Sequence, residues 1–158
     1  KWPQRVSPGT LIDTPVSHID VFPTLAAAAD ADLPEDRVID GRNILLEATG
    51  AGRIQRPNDA LFWQSGAYNV VRAGDWKLQV DGVQDQMWLF DLASDPTEQV
   101  NLINDRPDQV SRLKALLDAH HADAVEPLYP HTLESPIMID KTLNQRPIDG
   151  DEYVIWQN

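Results

Sequence analysis

A two-residue period of apolar and polar positions dominates the middle of the chain. Residues 76–80 alternate large apolar side chains with Lys77 and Gln79, which is the pattern of a strand with one buried and one solvated face. Three similar short segments lie on either side of it, at residues 61–63, 68–72 and 87–91. The loops between these segments are short, so neighbouring strands should run antiparallel. The pattern therefore predicts a four-stranded antiparallel sheet.

Two other segments have the three-to-four-residue spacing of an amphipathic helix. In residues 17–31 apolar side chains recur at helical spacing, and four consecutive alanines favour helix. The second segment begins at Pro107, which suits a first helical turn, and Asp105 is a candidate N-cap. A short helical turn is expected at residues 44–46.

The second helix is expected to lie on the sheet, which gives an α+β fold. Leu113 and Leu117 fall on its apolar face, so we expect them to be faced by Trp76 and Leu78. Prolines after residue 126 end the helix. Residues 127–158 have no regular period and are expected to form an extended tail, with a candidate final strand at 153–156.

Composition narrows the range of partners. The formal net charge of −12 repels polyanions, so nucleic acid and anionic membranes are not expected as partners. The chain has no cysteine, which excludes disulfides, thiolate nucleophiles and Cys-based zinc sites. No apolar run approaches the roughly 20 residues that span a bilayer. Because the chain starts at Lys1 with neither Met nor a signal peptide, we expect a processed, proteolysed or otherwise shortened chain.

Five groups of residues stand in a fixed order over the first two thirds of the chain. They are Lys1-Trp2-Pro3 with Pro8-Gly9-Thr10; Ser17-x-x-Asp20-x-x-Pro23-Thr24-Leu25; Asp40-Gly41 with Ile44-Leu45-Leu46; Val70 to Leu78; and Leu89 to Leu92 with Asp95 to Leu102. Their order and spacing across residues 1–125 resemble the C-terminal region of type I sulfatases, the arylsulfatase-like, formylglycine-dependent family. The tail, with Ser135-Pro136-Ile137 and Asp151 to Val154, resembles an extension found in a bacterial subset of the family.

The resemblance implies a division of the chain. Residues 1–57 would be the tail end of the large α/β domain, a connector followed by the helix at 17–31. Residues 58–126 would be the C-terminal subdomain of the alkaline phosphatase-like fold, and residues 127–158 an extended tail. The partner of this chain would then be the N-terminal catalytic domain of the same enzyme. By family habit the enzyme would be periplasmic or secreted.

The resemblance also implies that the chemistry lies elsewhere. Such sulfatases use a formylglycine made within a Cys/Ser-x-Pro-x-Arg motif, together with a divalent metal, usually calcium. Residues 94–98 are a near match, but Glu98 stands where Arg is required, so this segment is interpreted as a turn. No catalytic or metal-binding residue is assigned here, and the isolated chain is expected to be inactive.

Four residues are candidate contacts for a sulfated small molecule or glycan. Gln64, Ser65 and Tyr68 lie in a polar loop between two predicted strands, which borders the pocket in similar proteins. His18 precedes the first helix, in a segment on the active-site side. A plain hairpin loop and a hydrogen bond at the helix start remain the alternatives.

Other chemistry-bearing residues are more ordinary. The tryptophans at 63, 76 and 88 fit a core better than a sugar platform, and Arg72 and Lys77 fit a solvated sheet face better than a sulfate contact. His120 and His121 point about 100° apart on a helix and cannot chelate one metal as an i, i+4 pair does. Two other functions stay open: a stand-alone glycan-binding module, and a phosphate or phosphonate ester hydrolase of the same superfamily.

Overall fold

A computed structural model describes residues 2–82, 84–125, 134–138, 148–150 and 153–157 of the chain. The chain divides into two compact units, Lys1–Asp59 and Ala60–Asn158. The predicted tail from residue 127 lies largely outside the described residues. Within it, strands β5 (Glu134–Met138) and β6 (Tyr153–Gln157) pair antiparallel, so the candidate final strand is confirmed and its partner strand is an addition.

The first unit contains two short α-helices. A 3-10 turn at His18–Asp20 leads into α1 (Val21–Ala28), and α2 (Leu45–Ala48) follows before a second 3-10 turn at Pro57–Asp59. The helix expected at 17–31 is therefore present but shorter. It ends because Asp30 takes the left-handed backbone conformation, with φ of 56°, which an α-helix cannot continue.

A buried carboxylate, rather than an apolar cluster, organises this unit. The side chain of Asp20 is fully buried and accepts backbone N–H bonds from Ser17 (2.7 Å) and Arg42 (2.7 Å). Arg56, whose side chain is only 5% exposed, donates to both of its oxygens, at 3.0 and 2.5 Å. A β-carbon at Gly41 would lie 2.0 Å from the carbonyl oxygen of Ile19. Only glycine at 41 lets the two segments approach closely enough for the Arg42 N–H to reach Asp20.

The second unit contains the predicted sheet. Its strands are β1 (Ala60–Ser65), β2 (Tyr68–Ala73), β3 (Trp76–Asp81) and β4 (Gln86–Asp91), paired antiparallel in the order β1-β2-β3-β4. All four predicted strands are confirmed. Gly66 takes a φ of 58° in the two-residue turn between β1 and β2, a conformation that glycine adopts without a steric penalty.

Helix α3 (Pro107–Asp123) packs on one face of this sheet. Leu113 and Leu117 join Leu78, Val71 and Leu89 in the core, and Trp76 packs against that cluster, as predicted. The expected cap at Asp105 is wrong: Arg106 occupies the N-cap position, and no side chain caps the helix. Pro107 does occupy the first turn, where a missing N–H breaks no hydrogen bond.

The segment after β4 completes the edge of the sheet. The Asn101 side chain accepts the Leu89 N–H (2.9 Å) and donates to the Met87 carbonyl (3.2 Å). The Leu102 N–H then donates to the Leu89 carbonyl (2.8 Å). These bonds satisfy backbone groups that an edge strand would otherwise leave unpaired.

Candidate functional site

The sheet face opposite α3, the open face, contains a cavity of about 530 Å³. Odd-numbered residues of β1 and β3 and even-numbered residues of β2 share this face, because strand side chains alternate. Its lining divides into apolar residues (Trp63, Val70, Leu92), polar residues (Gln64, Ser65, Tyr68) and charged residues (Arg72, Lys77, Glu98). A mostly apolar concavity with a few convergent polar groups is typical of a small-molecule site.

A chain of hydrogen bonds runs across the cavity floor. The Tyr68 hydroxyl donates to Gln79 Oε1 (2.8 Å), and Gln79 Nε2 donates to Glu98 Oε2 (2.8 Å). Lys77 Nζ donates to both Glu98 oxygens, at 2.7 and 2.8 Å. Burial first, and then the negative charges of Glu98 and Asp81, raise the pKa of the Tyr68 phenol above its usual value. The hydroxyl therefore remains a donor at neutral pH.

Arg72 is the second cation of the cavity. Its Nε donates to the Gly74 carbonyl (3.1 Å), which orients the guanidinium. In the described part of the chain no carboxylate pairs with it, whereas Lys77 has Glu98. The cavity thus combines two cations with one carboxylate and one neutral phenol.

The structure brings together three of the four residues proposed from sequence. Gln64, Ser65 and Tyr68 all line the cavity, although strand alternation assigns the even-numbered Gln64 to the α3 face, so it borders the cavity from the end of β1. They are not a five-residue loop, however, because Gln64 and Ser65 end β1, Tyr68 begins β2, and only Gly66 and Ala67 form the turn. Strand pairing here, Ser65 with Tyr68, outcompetes the turn tendency of the local sequence.

His18 lies in the first unit, at the start of the 3-10 turn before α1. Its ring is exposed, and Nδ1 is 3.4 Å from the Ser17 hydroxyl. It is not among the described residues that line the open-face cavity. The alternative role at the helix start therefore has a contact to support it, and a substrate contact remains a proposal.

Two residues that line the cavity were not predicted to do so from the sequence. Trp63 is 39% exposed and lines the cavity instead of joining the core. Its strand parity with Val70 and Arg72 was a usable signal. Glu98 has a left-handed backbone, with φ of 58°, and reaches Lys77 across 21 residues, a contact that no local pattern encodes.

The two adjacent histidines of α3 attach the helix end to the sheet. Both are exposed, yet the His120 ring stacks on Phe62 with centroids 4.2 Å apart and planes at 4°. His121 Nε2 lies 3.0 Å from the Asn69 side-chain oxygen. Within the described ranges there is no group of three or more His, Asp or Glu placed to hold a metal ion. None of the helices in those ranges is long and apolar enough to cross a membrane.

Comparison with known proteins identifies relatives of this chain. No family model matches the chain. Human steryl-sulfatase is 47% identical over 76 residues, a match that covers 46% of this chain and 12% of that protein. The N-acetylgalactosamine-6-O-sulfatase of Bacteroides thetaiotaomicron is 28% identical over 132 residues, covering 75% and 26%. This chain is a sulfatase-family region.

The solved structures show the fold of this sulfatase region. The crystal structure of Ps i-CgsB superposes with a TM-score of 0.66 at 22% identity, over 81% of this chain and 29% of the other. A 2-O GAG sulfatase superposes with a TM-score of 0.53 at 22% identity, over 64% and 23%. The four-stranded sheet with its helix is therefore the C-terminal arrangement of the alkaline phosphatase-like sulfatase fold. The chain spans 12% and 26% of the length of the two curated relatives, as expected for a C-terminal part of a sulfatase.

Proposed function

We propose that this chain is the C-terminal part of a formylglycine-dependent sulfuric ester hydrolase whose catalytic residues lie outside it. The observation that carries the proposal is the 47% identity to a sulfatase over 76 residues. In that role the chain supplies structure and part of the rim of the substrate pocket.

The nucleophile and the calcium are assigned to the missing catalytic domain. Ser94, the only near match to a formylglycine position, sits in a turn, where its hydroxyl donates to the Asp91 carbonyl (3.4 Å). Glu98, which stands where the motif needs Arg, is committed to Lys77. These residues do not fit a formylglycine site, so no catalytic step is routed through them.

The catalytic domain is also the proposed binding partner of the first unit. Helix α1 leaves Val21, Phe22 and Leu25 52%, 53% and 62% exposed. Such apolar exposure on one short helix favours burial against another surface. The large domain that the sulfatase resemblance implies would cover this helix. The proposed division is therefore residues 1–57 as the end of that domain, 58–126 as the subdomain and 127–158 as the tail.

Substrate contacts are proposed for His18, Gln64, Ser65 and Tyr68. The last three share one cavity whose volume suits a sugar or an aromatic ring. The resemblance of the tail to a bacterial extension supports a bacterial enzyme that is periplasmic or secreted.

The test is made on the whole protein that contains this chain. It should hydrolyse 4-nitrophenyl sulfate in a calcium-dependent manner, and replacing the Cys or Ser of its upstream Cys/Ser-x-Pro-x-Arg motif by Ala should abolish turnover. The 158-residue chain alone should release no sulfate above a buffer blank. Preference for 4-nitrophenyl phosphate would identify a phosphate ester hydrolase instead. The absence of any upstream motif would favour a stand-alone glycan-binding module.

A further inference from the structure

Two cations face each other across the middle of the open face. Arg72 on β2 and Lys77 on β3 are direct cross-strand partners. Like charges in this position destabilise a sheet. Glu98 offsets the charge of Lys77 through two short hydrogen bonds, but no described carboxylate does the same for Arg72. Among the residues that line the cavity, two are cations and one is a carboxylate, although the chain carries a net charge of −12.

The orientation of the Arg72 guanidinium suits the binding of an anion. The Nε of Arg72 donates to the Gly74 carbonyl, so the two terminal nitrogens of the guanidinium remain as donors. A guanidinium can offer two parallel N–H groups to a carboxylate or a sulfate. The side chain is half-buried and lines the cavity, where a charge interaction is screened less than in open solvent.

An aromatic surface adjoins this cation. Trp63 is the cross-strand partner of Val70, and it is therefore a diagonal neighbour of Arg72 on the same face. Its side chain remains 39% exposed. Diagonal neighbours on a sheet are about 7–8 Å apart, close to the width of one sugar ring plus its substituent. A ring stacked on the indole would therefore bring an acidic substituent to Arg72.

We propose that the open-face cavity is an anion-recognising subsite for a ring that carries a carboxylate or a second sulfate. Arg72 binds the acidic group and Trp63 stacks on the ring, while Tyr68 holds the wall through Gln79. The subsite would bind the non-reacting part of the substrate, and in this respect it rests on the proposed sulfatase function. The bound anion would offset the charge of Arg72 as Glu98 offsets that of Lys77.

The experiment titrates the ¹⁵N-labelled 158-residue chain with three matched probes. They are phenyl β-D-glucoside, phenyl β-D-glucuronide and phenyl β-D-glucoside 6-sulfate, which differ in the acidic group. The readout is the indole N–H resonance of Trp63, assigned with Trp63→Phe. At least one acidic probe should shift it saturably, at least 10-fold more tightly than the neutral glucoside, and binding should weaken as salt is added. Which acidic probe binds separates a carboxylate from a sulfate ligand.

Arg72→Gln should weaken that binding at least 10-fold. Arg72→Lys should give an intermediate loss, because lysine keeps the positive charge but lacks the two parallel N–H donors of a guanidinium. Arg112→Gln is the matched control, since Arg112 is an exposed cation on α3 and should not affect binding. Equal binding of the neutral probe, or an unchanged affinity in both Arg72 variants, would overturn the proposal. So would a loss of sheet structure in both variants, because Arg72 would then serve the fold.

The experiments can disprove the anion-recognising subsite and the sulfatase function independently of each other. Binding needs no nucleophile, so a whole protein that is a sulfatase but whose C-terminal chain binds none of the probes disproves the subsite alone. Acidic-probe binding together with no sulfatase activity in the whole protein would disprove the enzyme and leave a glycan-binding module.

Discussion

Asp20 is the motif residue whose role the structure explains most directly, through its hydrogen bonds and its lowered pKa. In the sequence it is the acid of Ser17-x-x-Asp20-x-x-Pro23, three residues after the Ser whose N–H it accepts. Burial is the largest single influence on its pKa and would raise it. The Arg56 guanidinium and the two backbone N–H groups together outweigh burial, so the pKa of Asp20 lies below its ordinary value. The residue therefore stays ionised and joins three segments of the first unit.

Asp20→Asn should strongly destabilise this unit. The substitution leaves Arg56 buried without a counter-charge, and breaking a buried ion pair costs about 3–5 kcal/mol. Hydrogen exchange at the amides of Ser17 and Arg42, which donate to Asp20, should report the loss directly. Asp36→Asn is the matched control, because its ion pair with Arg37 is exposed. Unchanged exchange in Asp20→Asn would mean that the pair does not hold the unit.

The lowered pKa also sets a pH dependence. A carboxylate whose pKa is lower in the folded than in the unfolded state contributes stability above its unfolded pKa, about 3.9, and loses it as pH falls through the folded pKa. Protection of the Ser17 and Arg42 amides should therefore persist near neutrality and decline below about pH 4. In Asp20→Asn this acid-dependent part of the decline should be missing. A decline of equal size in both proteins would refute the assignment to Asp20.

At the scale of elements, local pattern determined most of the fold. The alternation in residues 76–80 and the apolar stripe of α3 are both direct consequences of burying one face, and both were predicted. Contacts between distant residues were not. The stacking of His120 on Phe62, the edge bonds of Asn101 and the Lys77–Glu98 pair depend on register and on long-range folding. The polar residues of the candidate site were proposed from the sequence, but the presence of Arg72, Lys77 and Trp63 in the same cavity was not predicted.

Helix α3 offers the clearest test of the packing. Leu117 is 5% exposed and Leu113 fully buried in the cluster with Leu78. Leu117→Ala should lower the free energy of unfolding by about 2–5 kcal/mol, because it removes buried apolar area and leaves a cavity. Leu116→Ala, at a half-buried neighbouring position, should have a smaller effect. Urea denaturation curves can rank the two variants, and equal midpoints would place the helix differently on the sheet.

At the scale of the whole molecule, the two units differ in how they are stabilised. The second has a continuous apolar core between sheet and helix. The first is joined by the Asp20 network and by Glu47, which accepts both the Thr14 hydroxyl (2.7 and 2.9 Å) and the Ile54 N–H (3.2 Å). With its apolar side chains turned outward, this unit resembles a piece of a larger core. Under the proposed division of the chain this contrast is expected, because the subdomain would be intact and the end of the large domain would lack its cover.

In the whole enzyme, Tyr68 is predicted to select the substrate without taking part in catalysis. Its ring lines the cavity, and its hydroxyl is fixed by Gln79. Tyr68→Ala should lower kcat/KM for the natural substrate about 10-fold, or about 1.4 kcal/mol, because contacts with the non-reacting part are lost. A small aryl sulfate that does not reach the cavity should be hydrolysed almost as before.

Tyr68→Phe separates the two parts of this side chain. It keeps the ring and removes the donor to Gln79, so most of the natural-substrate activity should remain if the ring makes the contact. If Tyr68→Phe loses as much as Tyr68→Ala, the hydroxyl and its position are what matter. If both substrates lose activity equally in Tyr68→Ala, the residue supports the fold of the enzyme, and the specificity role is wrong. A thermal melt of each variant distinguishes these outcomes, because a specificity residue changes kcat/KM for one substrate while the melting temperature stays nearly constant.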